Sequence, residues 1–314
     1  MRLHRLHLPG TVIFLIVLFA SGILAPVTAP GLPESPLSTL VLVPILRFAM
    51  YVAGSIAVGA SIIGGLLGGG PETMRLGSRG AAVYAIITAL LTVAVLADLL
   101  AQPWWGGLDP QMLLSFCTQV DEGRYFLAQI LIASIVAWVL RSGRTGLDAV
   151  FAIIAMVITV ALPSMSGHST AAVTHWVASA VMIVHLTAMH SWVGGVLVLA
   201  GNATRETLVA FGRLAAMALP LVLISGLASI IARVNDWNTA LHDRWTLVLI
   251  VKILVSVALV VVAARTRRII AQGIGDEAPQ SDIVTATKQT LALEGSIMVT
   301  VVGLAVILAR MANP

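Results

Sequence analysis

Apolar residues in this chain gather into long runs separated by short polar stretches. Nine runs reach 17 residues or more: about 11–27, 40–68, 80–101, 124–140, 148–164, 172–200, 209–232, 245–266 and 289–309. An apolar helix of roughly 17–25 residues spans the about 30 Å of hydrocarbon in a bilayer. The pattern predicts an all-α, polytopic transmembrane bundle of nine spans, forming a single integral membrane domain over residues 1–314. The second and sixth runs are long and should tilt or extend beyond the bilayer. Pro44 and Pro220 are placed to kink the second and seventh, and Pro163 to end the fifth. The first run follows M-R-L-H-R-L-H and leads into A-P-V-T-A-P, whose small residues would suit signal cleavage. It exceeds a signal h-region of about 7–15 residues and reads as a retained first helix.

The polar stretches alternate in charge. Arg2 and Arg5 precede the first run, Arg75 and Arg79 follow the second, and Arg141 and Arg144 follow the fourth. Arg205 follows the sixth, with Arg213 at the start of the seventh, and Arg265, Arg267, Arg268 and Lys288 lie between the eighth and ninth. The stretches between are poor in Lys and Arg, and 102–123 carries Asp109, Asp121 and Glu122. By the positive-inside rule the N-terminus is cytoplasmic and the C-terminus outside. Trp104, Trp105, Trp176, Trp237 and Trp245 then fall at the outer boundary, where an aromatic belt is expected.

Composition agrees. Of 314 residues, 59% are hydrophobic and 10% charged, against about 25% charged in soluble domains. The net charge of +4 is spent on loop orientation and does not point to nucleic acid. A single cysteine, Cys117, excludes an internal disulfide and a cysteine-only metal cluster. The run Gly64 to Gly70 lacks the Lys-Ser/Thr of a phosphate loop and suits close helix packing instead. There is no H-E-x-x-H, no C-x-x-C and no nucleotide-binding loop, so an enzyme is not expected.

Candidate chemistry concentrates between Met165 and Gly195. Four of the seven histidines lie there (His168, His175, His185, His190), interleaved with Met165, Met182 and Met189. Imidazole and thioether together are a ligand set for copper, cuprous copper above all. On a helix, with His175 at zero, Met182 falls at about −20°, Met189 at about −40° and His185 at about −80°. The stripe is about 21 Å long at 1.5 Å per residue. His190 lies about 140° from His185, on another face. A stepped set of soft ligands leading inward from the outer face is one reading. A packed interior helix, with Met filling gaps and His bonded to a neighbour's carbonyl, is the other. Met165 and His168, in the preceding turn S-M-S-G-H-S-T, could fold over the outer end. Further ionic residues sit at membrane depth: Arg47, Asp98, Lys252 and Glu294. Arg47 and Asp98 share a depth and suit a pair; Lys252 and Glu294 do not, and snorkelling is the alternative for all four.

Several of these segments resemble the copper resistance D (CopD) family of bacterial inner-membrane proteins. S-G-H-S (166–169) and H-L-T-A-M-H-S-W-V-G-G (185–195) are similar to its histidine, seven-residue step and Trp-x-Gly-Gly. F-G-R-L-A (211–215), S-G-L-A-S (225–229), W-T-L-V-L-I-V-K (245–252) and Glu294 resemble its later elements. The first 160 residues resemble it in helix pattern only. The resemblance implies copper handling at the plasma membrane, import or tolerance, with His168 and His185 as the paired histidines. Similar chains continue into a second membrane domain resembling a cytochrome oxidase assembly factor; this one is expected to lack it or to be part of a longer fusion.

The expected function is therefore copper binding from the outer side and inward passage through His168, Met165, His175, Met182, His185 and Met189. The lipid bilayer, copper ions and an extracytoplasmic copper-binding protein or oxidase assembly factor are the expected partners. Two rivals stay open. A haem b protein would need a second mid-membrane histidine on another helix, and His4, His7 and His242 all lie near surfaces. A metal-free or copper-delivering assembly subunit for cytochrome oxidase needs none.

Overall fold

The computed structural model describes residues 8–20, 34–162, 172–234, 237–275 and 280–311. Met165 and His168 lie outside the described residues. The described elements are all helical: α1 (Leu8–Ala20), α2 (Leu37–Gly65), α3 (Gly70–Leu99), α4 (Pro110–Gln119), α5 (Asp121–Leu140), α6 (Leu147–Ala161), α7 (Ala172–Asn202), α8 (Arg205–Arg233), α9 (Trp237–His242), α10 (Arg244–Gly275) and α11 (Gln280–Arg310). Each of the nine apolar runs carries one of them. Seven are long and apolar enough to cross a membrane: α2, α3, α5, α7, α8, α10 and α11. α1 and α6, with 13 and 15 residues, are shorter apolar helices.

The two short helices between runs are not in the hydropathy pattern. α4 starts where capping chemistry allows it. The Asp109 carboxylate accepts from the amides of Gln111 (2.9 Å) and Met112 (3.0 Å), and Pro110 takes the first turn, where no donor is missed. The tight turn from α2 to α3 uses Gly68 and Gly70, both with φ near +80° (φ 81 and 77).

Two apolar cores form. One joins α2, α3, α5 and α6 around Met74, Tyr84, Leu91, Leu140 and Met156. The other joins α1, α7, α8, α10 and α11 around Phe14, Trp192, Leu197, Met298 and Leu304. α2 and α7 weld them together, and small residues permit the contact. A Cβ on Gly59 would lie 2.1 Å from the Gly194 carbonyl carbon, and one on Gly194 would lie 1.8 Å from the Ser55 carbonyl oxygen. Backbone meets backbone there, as small-residue packing between membrane helices permits.

α8 and α10 are the least enclosed spans. Met217, Ile224 and Leu227 of α8 and Leu247, Leu254 and Val261 of α10 are each about 60–70% exposed. Apolar surface this extensive is stable against acyl chains rather than water. α8 and α10 barely touch each other, whereas each packs firmly on one neighbour, α7 and α11 respectively. The aromatic residues expected at the outer boundary divide: Trp104, Trp105 and Trp176 are exposed, whereas Trp245 is buried at 3% and belongs to the core rather than to a belt.

Candidate functional site

α7 carries His185 and His190 to different neighbours, as 100° per residue requires. His185 faces α8. Its Nδ1 lies 3.1 Å from the Val222 carbonyl oxygen and 3.1 Å from Ser225 Oγ. A carbonyl only accepts, so Nδ1 carries the proton, and in the neutral ring the lone pair is on Nε2. Gly226 makes room for the ring: a Cβ there would sit 3.3 Å from His185 Cε1. The bond to a neighbour's carbonyl is what the packed-helix reading expects. It is equally how metal-ligating histidines are oriented, through their second nitrogen.

His190 faces α2 and is completely buried. Its Nδ1 is 2.8 Å from Ser55 Oγ, and the Tyr51 ring lies 5.9 Å away. Its Nε2 is buried without a hydrogen-bond partner. The angular separation of the two histidines read from the sequence is thus realised, on opposite faces of α7.

Met182 and Met189 are half-buried on α7. Met189, one turn further along α7 from His185, lines a cavity of about 50 Å³ between α7, α8, α10 and α11. Val222 joins the two residues, since its carbonyl meets His185 and the residue also lines the cavity. His175 lies on the first turn of α7, and no side-chain geometry is described for it. Among the described residues, no three His, Cys, Asp or Glu side chains come together to hold a metal ion.

A second polar centre adjoins the cavity at Trp192. Glu294 of α11 is only 4% exposed. The Trp192 and Thr266 side chains lie within hydrogen-bonding reach of its carboxyl, and the Arg267 guanidinium acts on it by charge. The Thr266 hydroxyl also donates to the Val262 carbonyl at 3.1 Å. Arg267 Nη2 is buried without a partner. Trp192 therefore both lines the cavity and reaches Glu294. Sequence reasoning missed Trp192, Thr266 and Arg267 as a set, because they converge from two helices far apart in the chain. The residue step from His185 to Trp192 was the available signal.

At the other end of the bundle the expected pair of Arg47 and Asp98 is not formed. Arg47 meets Glu122 of α5 at 3.1 Å, and Asp98 meets Arg310 of α11 at 3.2 Å. Arg47 and Arg310 also feel each other's charge, so the four residues form one cluster of two cations and two anions. A depth ruler places residues along the membrane normal but not around it. Each charge, costly away from water, has a counter-ion, so snorkelling is not needed for Arg47 or Asp98. Lys252 is half-buried on α10, with its carbonyl accepting from Ser256 Oγ at 2.8 Å.

The signature segments meet in this architecture. His185 contacts Ser225 of S-G-L-A-S, Trp192 reaches Glu294, and Phe211 packs where a Gly195 side chain would be, 2.0 Å from its Cβ position. Neither curated proteins nor solved structures supply a match. Two family models do match. One, described as copper resistance protein D-like, N-terminal domain, covers residues 37–176. The other, described as copper resistance protein D, covers residues 205–308. The first extends the likeness into the half of the chain that showed only a helix pattern. Together the matches span most of a multi-pass helical chain, in the order N-terminal domain then D domain, and the chain belongs to the copper resistance protein D family.

Proposed function

We propose that this chain binds copper at the outer face of the bacterial plasma membrane and passes it inward. The N-terminus is cytoplasmic, nine helices span the bilayer, and the C-terminus is outside. Asp98, Glu122 and Arg310 come from segments that the charge pattern assigns to the outer side, and their clustering with Arg47 supports that assignment. His168 and Met165 capture the ion, and His175, Met182, His185 and Met189 hand it on. Several weak sites suit passage better than one tight site.

The observation that carries the reading is that His185 bonds the Val222 carbonyl of α8, while Met189, one turn along α7, lines a cavity together with Val222. An imidazole with Nδ1 anchored, followed by a thioether, is a graded pair of soft donors. A protonated imidazole cannot ligate, so uptake falls as the outer pH drops through the range where imidazole charges. The test is copper accumulation in cells expressing the wild type or His185→Ala. A drop of several-fold in the variant, at equal protein level, is expected; equal accumulation overturns the conduit.

A further inference from the structure

The cavity between α7, α8, α10 and α11 is a slot. Its floor is α7 and α11, with Trp192 and Val302, and its sides are α8 and α10, with Leu219, Val222, Leu259 and Val260. The two side helices barely touch, so the slot opens between them, and Leu223 at its edge is 46% exposed. Ser256 is the one polar residue of the lining, and its hydroxyl is spent on the Lys252 carbonyl at 2.8 Å. A buried water needs two to four polar partners, and these walls offer hydrocarbon.

The slot continues along α8 toward the helix start. Gly212 stands seven residues before Leu219 and so on the same side of α8. Nothing lies within 4 Å of its Cβ position. Arg205, seven residues further back, shares that side. On α10, Arg267 stands eleven residues beyond Ser256, about three turns, and shares the side of the lining. Consecutive spans run in opposite directions, so the start of α8 and the finish of α10 lie at one end of the bundle. On these two helices that end carries Arg205, Arg213, Arg265, Arg267 and Arg268 against one carboxylate, Glu206. Asp276 and Glu277, past the end of α10, lie outside the described residues. Arg267 acts on Glu294 of α11. Arg213, Arg265 and Arg268 are exposed and Arg205 is half-buried.

The spacing matches one lipid leaflet. Leu219 is at the middle of α8, and Arg205 lies about 21 Å from it along the axis. From Val260, at the middle of α10, to Arg268 is about 12 Å. Half of the about 30 Å of hydrocarbon is about 15 Å. A chain anchored among these arginines therefore reaches the slot. Hydrocarbon alone gives no preference, since bulk acyl chains are as apolar as leucine. Selection has to come from the headgroup, and basic pockets between membrane helices recognise anionic ones.

We propose that this slot is a binding site for an anionic phospholipid, one acyl chain lying between α8 and α10 and the phosphate held among Arg205, Arg213 and Arg268. The lipid fills the gap that the two helices leave, and its chain lies against Trp192 and Val222. No metal is involved, and the site stands whichever face of the bundle is outside.

The experiment uses the full chain in phosphatidylcholine vesicles, with a small fraction of phosphatidylglycerol brominated near the chain ends. Bromine quenches tryptophan at contact, and Trp192→Phe identifies the share of the signal that comes from the slot. That share should be quenched at a several-fold lower mole fraction of brominated phosphatidylglycerol than of brominated phosphatidylcholine. Arg205→Gln with Arg268→Gln should raise the half-quenching fraction about fivefold for each charge removed. Arg141→Gln with Arg144→Gln, exposed cations of the α5–α6 turn, should leave it unchanged. Mass spectrometry of lipid retained by the detergent-purified chain needs no Trp variant and should show anionic phospholipid enriched over the membrane. Equal quenching by the two lipids means ordinary boundary lipid and overturns the site. Wild-type selectivity in the Arg205/Arg268 variant overturns it, as does a retained neutral isoprenoid in place of phospholipid. No quenching of Trp192 by either lipid, as when a second copy of the chain covers the slot, overturns it too.

Discussion

Ser55 and His190 show how a buried polar group is kept in a membrane bundle at one residue's cost. The imidazole is fully enclosed, one nitrogen is satisfied by the Ser55 hydroxyl at 2.8 Å, and the other has no partner. Ser55→Ala would leave both nitrogens unsatisfied, which costs about 1–3 kcal/mol for the lost partner. Ser61 provides the contrast. It is equally buried on α2, but its hydroxyl donates to the Ala57 carbonyl of its own helix at 2.8 Å. That carbonyl keeps its helical hydrogen bond when the hydroxyl goes, so Ser61→Ala strands nothing. The expected outcome is a clear fall in the thermal midpoint of the detergent-purified protein for Ser55→Ala and a smaller one for Ser61→Ala. Equal midpoints would mean that the Ser55–His190 bond contributes no net stability.

Elements come together in this fold according to where their side chains are missing. The α2–α7 crossing leaves no space at Gly194, where a Cβ would fall 1.8 Å from the Ser55 carbonyl oxygen. Gly194→Ala must push α2 and α7 apart, and it also disturbs the Ser55–His190 bond beside it. A cost at the upper end of the overpacking range, about 3 kcal/mol, is expected and should be read as loss of monodisperse protein and a lowered midpoint. Gly212, in mid-α8, has nothing within 4 Å of its Cβ position. Gly212→Ala should therefore be neutral or stabilising, by up to about 1 kcal/mol of helix propensity. The helices themselves were legible because twenty apolar residues in a row leave few alternatives in lipid. Their partners were not. Arg47 and Asp98 could be placed at one depth, yet their counter-ions Glu122 and Arg310 come from α5 and α11, and azimuth is set by packing that no single run encodes. α4 and α9 escaped because neither is long or apolar enough to register as a run. In the site, the angle between His185 and His190 was legible from helix geometry alone. Trp192 and Arg267 were not, since each looks like ordinary core or loop chemistry until α7, α10 and α11 pack together around Glu294.

At the scale of the whole molecule, the sense of the proposed transport depends on which face of the bundle is outside. Asp98, Glu122, Arg310 and Arg47 tie α2, α3, α5 and α11 together at one end. Arg267 and Glu294 mark the region toward the other. The only cysteine in the chain reports on the first of these ends, because α4 lies between Asp98 and Glu122. Cys117 is half-buried, and burial pushes its thiol above the usual range. The thiolate is the reactive form, so labelling is slow at neutral pH and quickens as the pH rises. A membrane-impermeant maleimide should therefore label Cys117 in right-side-out vesicles at alkaline pH. In inverted vesicles it should do so only after permeabilisation, with Cys117→Ser as the blank. The opposite pattern would turn the molecule over. His185 would then lie on the cytoplasmic side of Met189 and Glu294, and the same ligands would form a path for copper leaving the cell rather than entering it.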